Sequence, residues 1–473
     1  MREHLTVSSF RDPAGSLVRT EDRIFRFILD EGMEDFTFTQ ASSAMKKMIA
    51  EDKVVSYRTM TDQDILQHAE QYPDFAKQLN ALKPRVILEH KRISFPSYPY
   101  EWSPKMLFAA GILTVQMSKQ LLQDGIGLKD ATPYNVLFVG PRPVFVDLLS
   151  FEKREPTDPV WLAYAQFVRT FLLPLYMHKS IKLPLNQIFF TRHDGLEIEE
   201  CLKALRPFSS ISYSLILLPF LLSKVAPKTL YNRQNKNPDL SSLILRSLMK
   251  RTAKQLHALR PKAGISFWSK YMQNKTHYSD EAFLAKEKLL TLFLEEKRPA
   301  KVLDVGCNTG YFSMMAAKCG AEVVAIDYDA EVIDRLWQHA LERRLHILPL
   351  VVDIARPTPQ IGWKNQEYTS FLARAHLHFD MVLMLAVIHH LLVTNRVPIE
   401  EIASLSAGLT RDVLVIEYID PKDPMFMQLV RGRSHLFAAF NMEAFRAAFM
   451  RYFTIERTEK INETRALFLM RKI

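Results

Sequence analysis

The pattern of apolar and polar positions divides the chain into a first half of mixed strands and helices and a second half in which the two alternate. In the first half the spacing predicts a strand on either side of a turn at 12–15, helices over 41–50, 62–82 and 104–123, and a strand over 86–95. In the second half, short apolar strands alternate with helical spacing, which is typical of a parallel sheet covered by helices. We therefore expect an α+β domain followed by an α/β domain.

The most informative stretch is Lys301 to Asp329, which combines a strand, a glycine turn, a helix and a second strand. The first strand ends at the turn GCNTG, and the second strand, 322–326, delivers Asp327 to its carboxyl end. Glycine permits a tight turn and lets the backbone approach a ligand. Because ligands of doubly wound sheets lie at the carboxyl ends of the strands, this stretch predicts a nucleotide-type cofactor site.

The spacing of the glycines separates two kinds of cofactor. A dinucleotide fingerprint is G-x-G-x-x-G, whereas this turn has an acid before the first glycine and three residues between the glycines. The motif resembles that of the class I S-adenosylmethionine (SAM) methyltransferases. The resemblance implies that SAM is held by Asp304, Gly306, Cys307, Asn308, Gly310, Asp327 and Tyr328. A structural turn without a ligand is the alternative.

Two later strands extend the same resemblance. The strand over 347–352 ends in Asp353 and Ile354, which would lie against the adenine. The strand over 379–385 leads to His389 and His390, and an imidazole there could take a proton from an attacking hydroxyl or amine. Adjacent histidines on an extended segment point to opposite sides, so we expect one to serve the site and the other to pack. For each histidine, a capping or core role is the alternative.

A second motif lies in the first half, between Gly127 and Phe151. Asp130, Asn135 and Asp147 resemble the catalytic loop and metal-binding acid of protein-kinase-like phosphotransferases. The resemblance implies that Asp130 accepts a substrate proton and that the other two hold the magnesium of Mg-ATP. The first half lacks a glycine-rich phosphate loop, and Leu-Leu follows the last acid. Turn capping by Asp and Asn is therefore the alternative.

Over its full length the chain looks like a member of the two-part, NoeA-like family of bacterial SAM methyltransferases. The motifs that carry this are LKDATPYNVLF, PVFVDLLSFE, LDVGCNTGYFS, GWKNQE, LAVIHHL and EYIDPKDPM. The resemblance implies a kinase-like domain over 1–225, a basic helical linker over 226–262 and a Rossmann-like class I methyltransferase domain over 263–473. An aromatic helical cover before the first strand, with Trp268, Tyr271 and Tyr278, would close over the cofactor. The resemblance does not give the methyl acceptor.

Composition and cysteine spacing bear on the number of domains, on metal binding and on the location of the protein. A chain of 473 residues exceeds what one core usually holds, which agrees with two domains. The three cysteines, Cys201, Cys307 and Cys319, are too far apart for a zinc cluster or a disulfide framework, so we expect no metal site and a cytoplasmic location. We expect no signal peptide, because the N-terminal segment carries charges and no apolar core. We expect no transmembrane segment, because the longest apolar run, 215–222, is broken by Pro219, and we interpret 211–222 as a buried helical hairpin.

The formal net charge of +10 is concentrated in one segment. Between Lys224 and Lys262 stand ten basic residues and one acid, Asp239. The segment is either a solvated linker or a contact for phosphate groups, on RNA or on lipid headgroups. Tyr231 is the one Tyr, Phe or Trp there, which disfavours a stacking platform for single-stranded RNA.

Together these features predict an enzyme that transfers a methyl group from SAM to an oxygen or nitrogen acceptor. One alternative is a bifunctional kinase and methyltransferase acting on a glycan or metabolite. Another is a non-catalytic scaffold that binds RNA or membrane through the basic segment.

Overall fold

The computed structural model describes residues 11–20, 23–202, 237–262, 264 and 280–473. The predicted hairpin at 211–222, the four cations from Lys224 to Lys236 and the aromatic residues of the predicted cover lie outside the described residues. The chain divides into two compact units. The first takes its residues from Met1–Tyr100, Pro104–Phe138 and Pro143–Pro261, and the second from Glu101–Ser103, Val139–Arg142 and Lys262–Ile473.

The first unit begins with a four-stranded antiparallel sheet. Its strands are Gly15–Arg19 (β1), Ile24–Ile28 (β2), Tyr57–Thr59 (β3) and Val86–His90 (β4), in the order β1-β2-β4-β3. One side of the sheet carries a core in which Phe25 and Phe27 pack edge-on against Phe75. Four helices belong to this part: Met33–Ala41, Ser43–Ala50, Asp62–Gln71 and Pro73–Leu82.

Two local predictions for this part were wrong. The turn at 12–15 precedes β1, and the hairpin turn is the one closed by the Thr20 amide donating to the Arg23 carbonyl at 3.0 Å. The single helix predicted over 62–82 is two helices, because Tyr72 is extended and Pro73 starts the second one. The helix Met33–Ala41 was missed, since its apolar spacing is weak.

The rest of the first unit is mainly helical. Its helices are Pro104–Leu121, Tyr164–Phe167, Leu173–Ile181, Leu185–Thr191, Ile198–Cys201 and Pro238–Ala258, with a π-helical turn at Val168–Leu172. Two short sheets pair Ile126–Leu128 (β5) with Phe151–Lys153 (β8), and Val136–Val139 (β6) with Arg142–Phe145 (β7). In the segment predicted as a basic helical linker, residues 238–258 form a helix, and this helix packs within the first unit.

The second unit is built on a seven-stranded, mostly parallel sheet. Its strands are Lys301–Val305 (β9), Glu322–Asp327 (β10), Ile347–Val351 (β11), Phe379–Met384 (β12), Thr410–Ile419 (β13), Phe453–Lys460 (β14) and Arg465–Lys472 (β15). They lie in the order β11-β10-β9-β12-β13-β15-β14, and β15 runs antiparallel to both of its neighbours. The central strands are almost fully buried, as expected for a sheet covered on both faces.

One helix, Asp280–Lys297, precedes the first strand of this sheet. The helices between the strands are Tyr311–Lys318, Ala330–Glu342, Phe371–Ala375, Ile399–Leu409, Pro424–Val430 and Met442–Phe449. The predicted α/β class, the alternation of strands and helices and the terminal hairpin are confirmed. The long connection over 355–378 holds a short turn, Trp363–Asn365, and one helix. Among the described residues, no helix combines the length and apolar character that crossing a bilayer requires.

Candidate active site

A cavity of about 490 Å³ lies at the carboxyl ends of the central strands of the second unit. Residues at and just beyond the ends of β9, β10, β11 and β12 form one side of it. The helix Asp280–Lys297, together with Met425 and Arg465, contributes further lining. The location is the one where ligands of open α/β sheets bind.

The glycine turn after β9 is fixed to the neighbouring strand by backbone hydrogen bonds. The amides of Gly306 and Cys307 both donate to the Ile326 carbonyl, at 2.8 and 3.0 Å. Gly306 has a φ of 69°, and a Cβ placed on it would lie 2.6 Å from Val387 Cγ2. Glycine is therefore required here both by backbone conformation and by space.

Gly310, which the resemblance assigned to the cofactor, lies at the start of a helix. It has a φ of 78°, precedes the helix Tyr311–Lys318, and faces the Leu336 side chain, which a Cβ would meet at 2.2 Å. It is not among the residues that line the cavity. Gly310 thus allows the start of this helix to pack closely against the helix Ala330–Glu342.

Asp304 is a buried carboxyl group at the cavity wall. It is 3% exposed and accepts a hydrogen bond from Ser313 Oγ at 2.5 Å. Burial raises the pKa of Asp304 to about 7, although the Ser313 hydroxyl and the nearby Lys286 favour the charged form. Near pH 7 the Asp304 carboxyl group is therefore partly protonated, and a cation bound beside it would favour its ionised form.

Asp327 ends β10 and orders the turn opposite it. Its Oδ2 accepts from the Asn308 amide and its Oδ1 from the Asp329 amide, both at 3.0 Å. Burial again dominates and raises the pKa of Asp327 to about 6. Since a carboxylate accepts but does not donate, this position suits a ligand that carries hydroxyl donors.

The other residues predicted from the cofactor motif also line the cavity. Cys307 is buried, and desolvation with Asp327 and Asp304 nearby raises the pKa of its thiol well above the ordinary value. Tyr328 is 60% exposed, so its ring lies at the mouth. Asp353 is half-buried and accepts from the Ala355 amide at 3.0 Å, and Ile354 is an apolar neighbour.

Both histidines of the predicted pair line the cavity. They lie on a helical turn rather than an extended segment, because the His390 amide donates to the Val387 carbonyl at 3.0 Å. Their ring centroids are 4.1 Å apart, so the expectation that only one could face the site was wrong. His389 is 3% exposed, and its Nδ1 is buried without a hydrogen-bond partner among the described residues.

Sequence reasoning missed a buried ionic network on the cavity's far wall. Lys286 Nζ lies 2.5 Å from Glu417 Oε2, and Arg465 binds both Glu417 Oε1 at 3.3 Å and Asp423 Oδ2 at 2.8 Å. Lys286 and Arg465 line the cavity. Lys286 and Arg465 are far in the chain from the two acids, and only the motif EYIDPKDP, which contains both acids, gave a local signal.

The residues of the kinase-like motif lie together in the first unit. Asn135 Nδ2 donates to Ser150 Oγ at 2.9 Å, and that hydroxyl donates to Asp147 Oδ2 at 2.5 Å. Burial raises the pKa of Asp130, and the charge of Asp147 raises it further. Arg26 of β2 forms an ion pair with Asp147 at 3.0 Å. Among the described residues, no three His, Cys, Asp or Glu side chains are grouped as metal ligands.

Comparison with known proteins identifies the second unit. Residues 276–465 match the sequence model of a family described as a methyltransferase domain. With the sheet order and the acids at the strand ends, this match identifies the second unit as a SAM-dependent methyltransferase domain. Over 447 residues the chain is 28% identical to nodulation protein NoeA of Rhizobium meliloti (strain 1021), covering 93% of this chain and 90% of NoeA.

Two solved methyltransferases are more distant. N-methyltransferase NodS from Bradyrhizobium japonicum WM9 is 18% identical, with a TM-score of 0.30, covering 41% of this chain and 99% of NodS. Magnesium protoporphyrin IX methyltransferase (ChlM) from Synechocystis PCC 6803, solved with bound SAM, is 17% identical, with a TM-score of 0.29. The match covers 45% of this chain and 87% of ChlM. Scores of this size establish no structural likeness, so the identification rests on the family match and the sheet. The kinase-like character of the first unit stays a prediction.

The residues present fit SAM. A sulfonium and an ammonium group are cations, and the cavity holds two buried carboxyl groups, Asp304 and Asp327, whose pKa values are raised mainly by desolvation and whose ionised forms a bound cation would favour. Asp327 offers acceptor oxygens to a ribose diol, and the backbone of the Gly306 turn allows close approach.

We predict that SAM binding weakens as the pH falls. A bound cation favours the ionised carboxyl groups, whose pKa values in the free protein are raised to about 7 and about 6. Below those values each group must lose a proton on binding, so affinity should fall by up to about tenfold per pH unit for each group. Calorimetry at pH 5.5 and 8, in buffers of different ionisation enthalpy, measures the affinity and the protons released.

In the free protein, the folding stability that comes from these two carboxyl groups changes with pH in the opposite direction to the SAM affinity. A raised carboxyl pKa means that the folded state binds more protons than the unfolded state, so folding stability from these groups declines as the pH rises through about 4 to 7. SAM should therefore raise the melting temperature more at pH 8 than at pH 5.5. Asp304→Asn should remove the part of the pH dependence of SAM affinity that lies near pH 7. An affinity that is independent of pH would contradict the assignment of these carboxyl groups to the site.

Proposed function

We propose that the second unit transfers a methyl group from SAM to an oxygen or nitrogen atom of an acceptor that enters the same cavity, with His389 receiving the acceptor's hydrogen. The observation that carries this proposal is the His389 imidazole, which lines the cavity, is nearly buried and has an Nδ1 that no group in the described ranges of the chain hydrogen-bonds. A buried polar atom without a partner costs about 1–3 kcal/mol, and in native proteins such atoms often mark functional sites.

Bound SAM supplies a methyl group on a positively charged sulfur, which is already an activated leaving group. Asp304 and the Gly306 turn would hold its methionine part, Asp327 its ribose, and Asp353 with Ile354 its adenine. The acids at the strand ends bind, and the apolar lining excludes water. Positioning by such groups is worth several kcal/mol of activation free energy.

His389 is suited to accept a hydrogen bond or a proton. Desolvation lowers the pKa of His389 well below its ordinary value, and His390, Arg465 and Lys286 lower it further. The imidazole is therefore neutral at pH 7, with one nitrogen able to accept. Desolvation and the charges of Arg465 and Lys286 disfavour a lasting imidazolium, so a proton taken from the acceptor would pass from His389 to water when the products leave.

A covalent route through cysteine is disfavoured. Cys307 lies in the turn that contacts the cofactor site, and the raised pKa of its thiol keeps it protonated. The proposal is therefore a single displacement at the methyl carbon, in which the acceptor atom forms its bond to carbon as the carbon–sulfur bond breaks.

We predict that His389→Asn lowers methyl transfer by about 10²- to 10⁴-fold, the usual contribution of a general base. SAM affinity should stay within a few-fold, because the methionine and ribose contacts are elsewhere. The measurement incubates methyl-labelled SAM with fractionated cell extract, first to find the fraction that takes up label and then to compare variants on it. His390→Asn, on the more exposed ring, is the control and should have a smaller effect. Equal losses, or a His389→Asn variant with full activity, would refute the assignment.

A second candidate function, phosphotransfer by the first unit, is favoured by the grouping of Asn135, Ser150 and Asp147 with Asp130 nearby. It would make the protein a bifunctional kinase and methyltransferase. The Arg26 ion pair with Asp147 would first have to open, because that carboxylate is the proposed magnesium ligand.

Mg-ATP should then raise the melting temperature of the wild-type chain by a few degrees, through binding to the folded state. The increase should disappear in Asp147→Ala and persist in Glu155→Ala, which removes an exposed acid of the same unit. If Mg-ATP causes no shift in the wild-type chain, phosphotransfer is excluded and the first unit is better assigned to acceptor binding.

A further inference from the structure

The helix Pro238–Ala258 of the first unit has one packed face and one outward face. Its buried side chains include Leu245, Met249 and Leu256, which recur at helical spacing. Leu256 lies against Gly111 of the helix Pro104–Leu121, where a Cβ would be 3.2 Å from its Cδ2. Residues on the opposite side of this helix therefore point away from the core of the unit.

The outward face begins with an apolar ridge, Leu240, Leu243 and Ile244. These side chains are 45%, 60% and 42% exposed. Their spacing of three and four residues places them side by side on one face of the helix. Single exposed leucines are common, but three adjoining ones form a patch that binding would bury.

Four cations occupy much of the rest of the outward face. Arg246, Lys250, Arg251 and Lys254 are all exposed and continue the same helical spacing. Within the part of the chain that the structure describes, no acid forms an ion pair with any of them. Asp239, in the first turn, is the one acid of this helix. The face thus combines an apolar ridge with positive charge that is largely uncompensated.

We propose that this outward face, Leu240, Leu243, Ile244, Arg246, Lys250, Arg251 and Lys254, docks the protein on an anionic lipid surface. The apolar ridge would enter the headgroup region and the cations would lie against lipid phosphates, with the helix parallel to the membrane plane. The proposed contact is peripheral, because only one face of this helix would enter the lipid surface.

Two features favour lipid over RNA. The helix has no Tyr, Phe or Trp on which bases could stack, whereas stacking supplies much of the affinity for single strands. An exposed ridge of leucine and isoleucine gains free energy in a lipid interface but gains none against a phosphate backbone. Upstream cations, Lys224, Lys228, Arg233 and Lys236, continue the same charge in the sequence.

The test is flotation of the full chain with phosphatidylcholine vesicles, with and without phosphatidylglycerol. We expect binding only to the anionic vesicles, weakening as salt is raised. Changing the four cations to glutamine should reduce the partition coefficient at least about tenfold. Leu243→Ser should weaken the part of the binding that survives high salt. Both variants alter exposed positions, and unchanged SAM binding and melting temperature would confirm that they fold.

Matched controls come from the same unit. Lys46→Gln with Lys77→Gln removes exposed cations of other helices, and Leu66→Ser removes a leucine that is 65% exposed. Neither should alter flotation. Equal binding by the quadruple variant, or retention on RNA with no binding to anionic vesicles, would overturn the proposal. Because methyl transfer is measured separately, that outcome would leave the proposed enzyme function intact.

Discussion

The second unit depends on the burial of two carboxyl groups, Asp304 and Asp327, at the carboxyl edge of its sheet. Desolvation disfavours their charged forms and raises both pKa values, so the free protein holds them at a cost to its stability. The surrounding structure keeps them in place: Ser313 donates to one, and the Asn308 and Asp329 amides donate to the other. A site with this polarity is complete only when a cation or hydroxyl donors enter it.

The two units differ in how far the charges of their buried carboxyl groups are compensated. In the first unit, Asp147 is accompanied by the Arg26 guanidinium and the Ser150 hydroxyl, so its charge is compensated inside the unit. In the second unit, the four ions of the Lys286 network compensate one another on one wall and leave Asp304 with a hydroxyl partner. The second unit is thus prepared for a charged ligand by its own residues, whereas the first would need a rearrangement.

The sequence predicts what is local. The turn from Asp304 to Gly310, the strand that ends at Asp327 and the terminal hairpin follow from glycine chemistry and apolar period, and each was found. The pairing of Lys286, Glu417 and Arg465 could not be predicted, since it joins a helix and two strands across more than a hundred residues. The orientation of His389 and His390 also depended on context: the resemblance located them, but Ala386 at a φ of 57° precedes a helical turn where an extended strand was assumed. The glycine at position 310 could be located from the motif, but its packing against Leu336 could be seen only in the folded structure.

The central claim is that this cavity is the SAM site, and titration of S-adenosylhomocysteine into Gly306→Arg tests it most directly. A side chain at this position meets Val387 and would enter the cavity, so the account predicts that the variant loses binding that the wild-type chain shows at one site per chain. Gly320→Arg is the control, because it shares the positive φ and has open space around it. Wild-type affinity in Gly306→Arg, in a variant that remains folded, would show that the cofactor binds elsewhere.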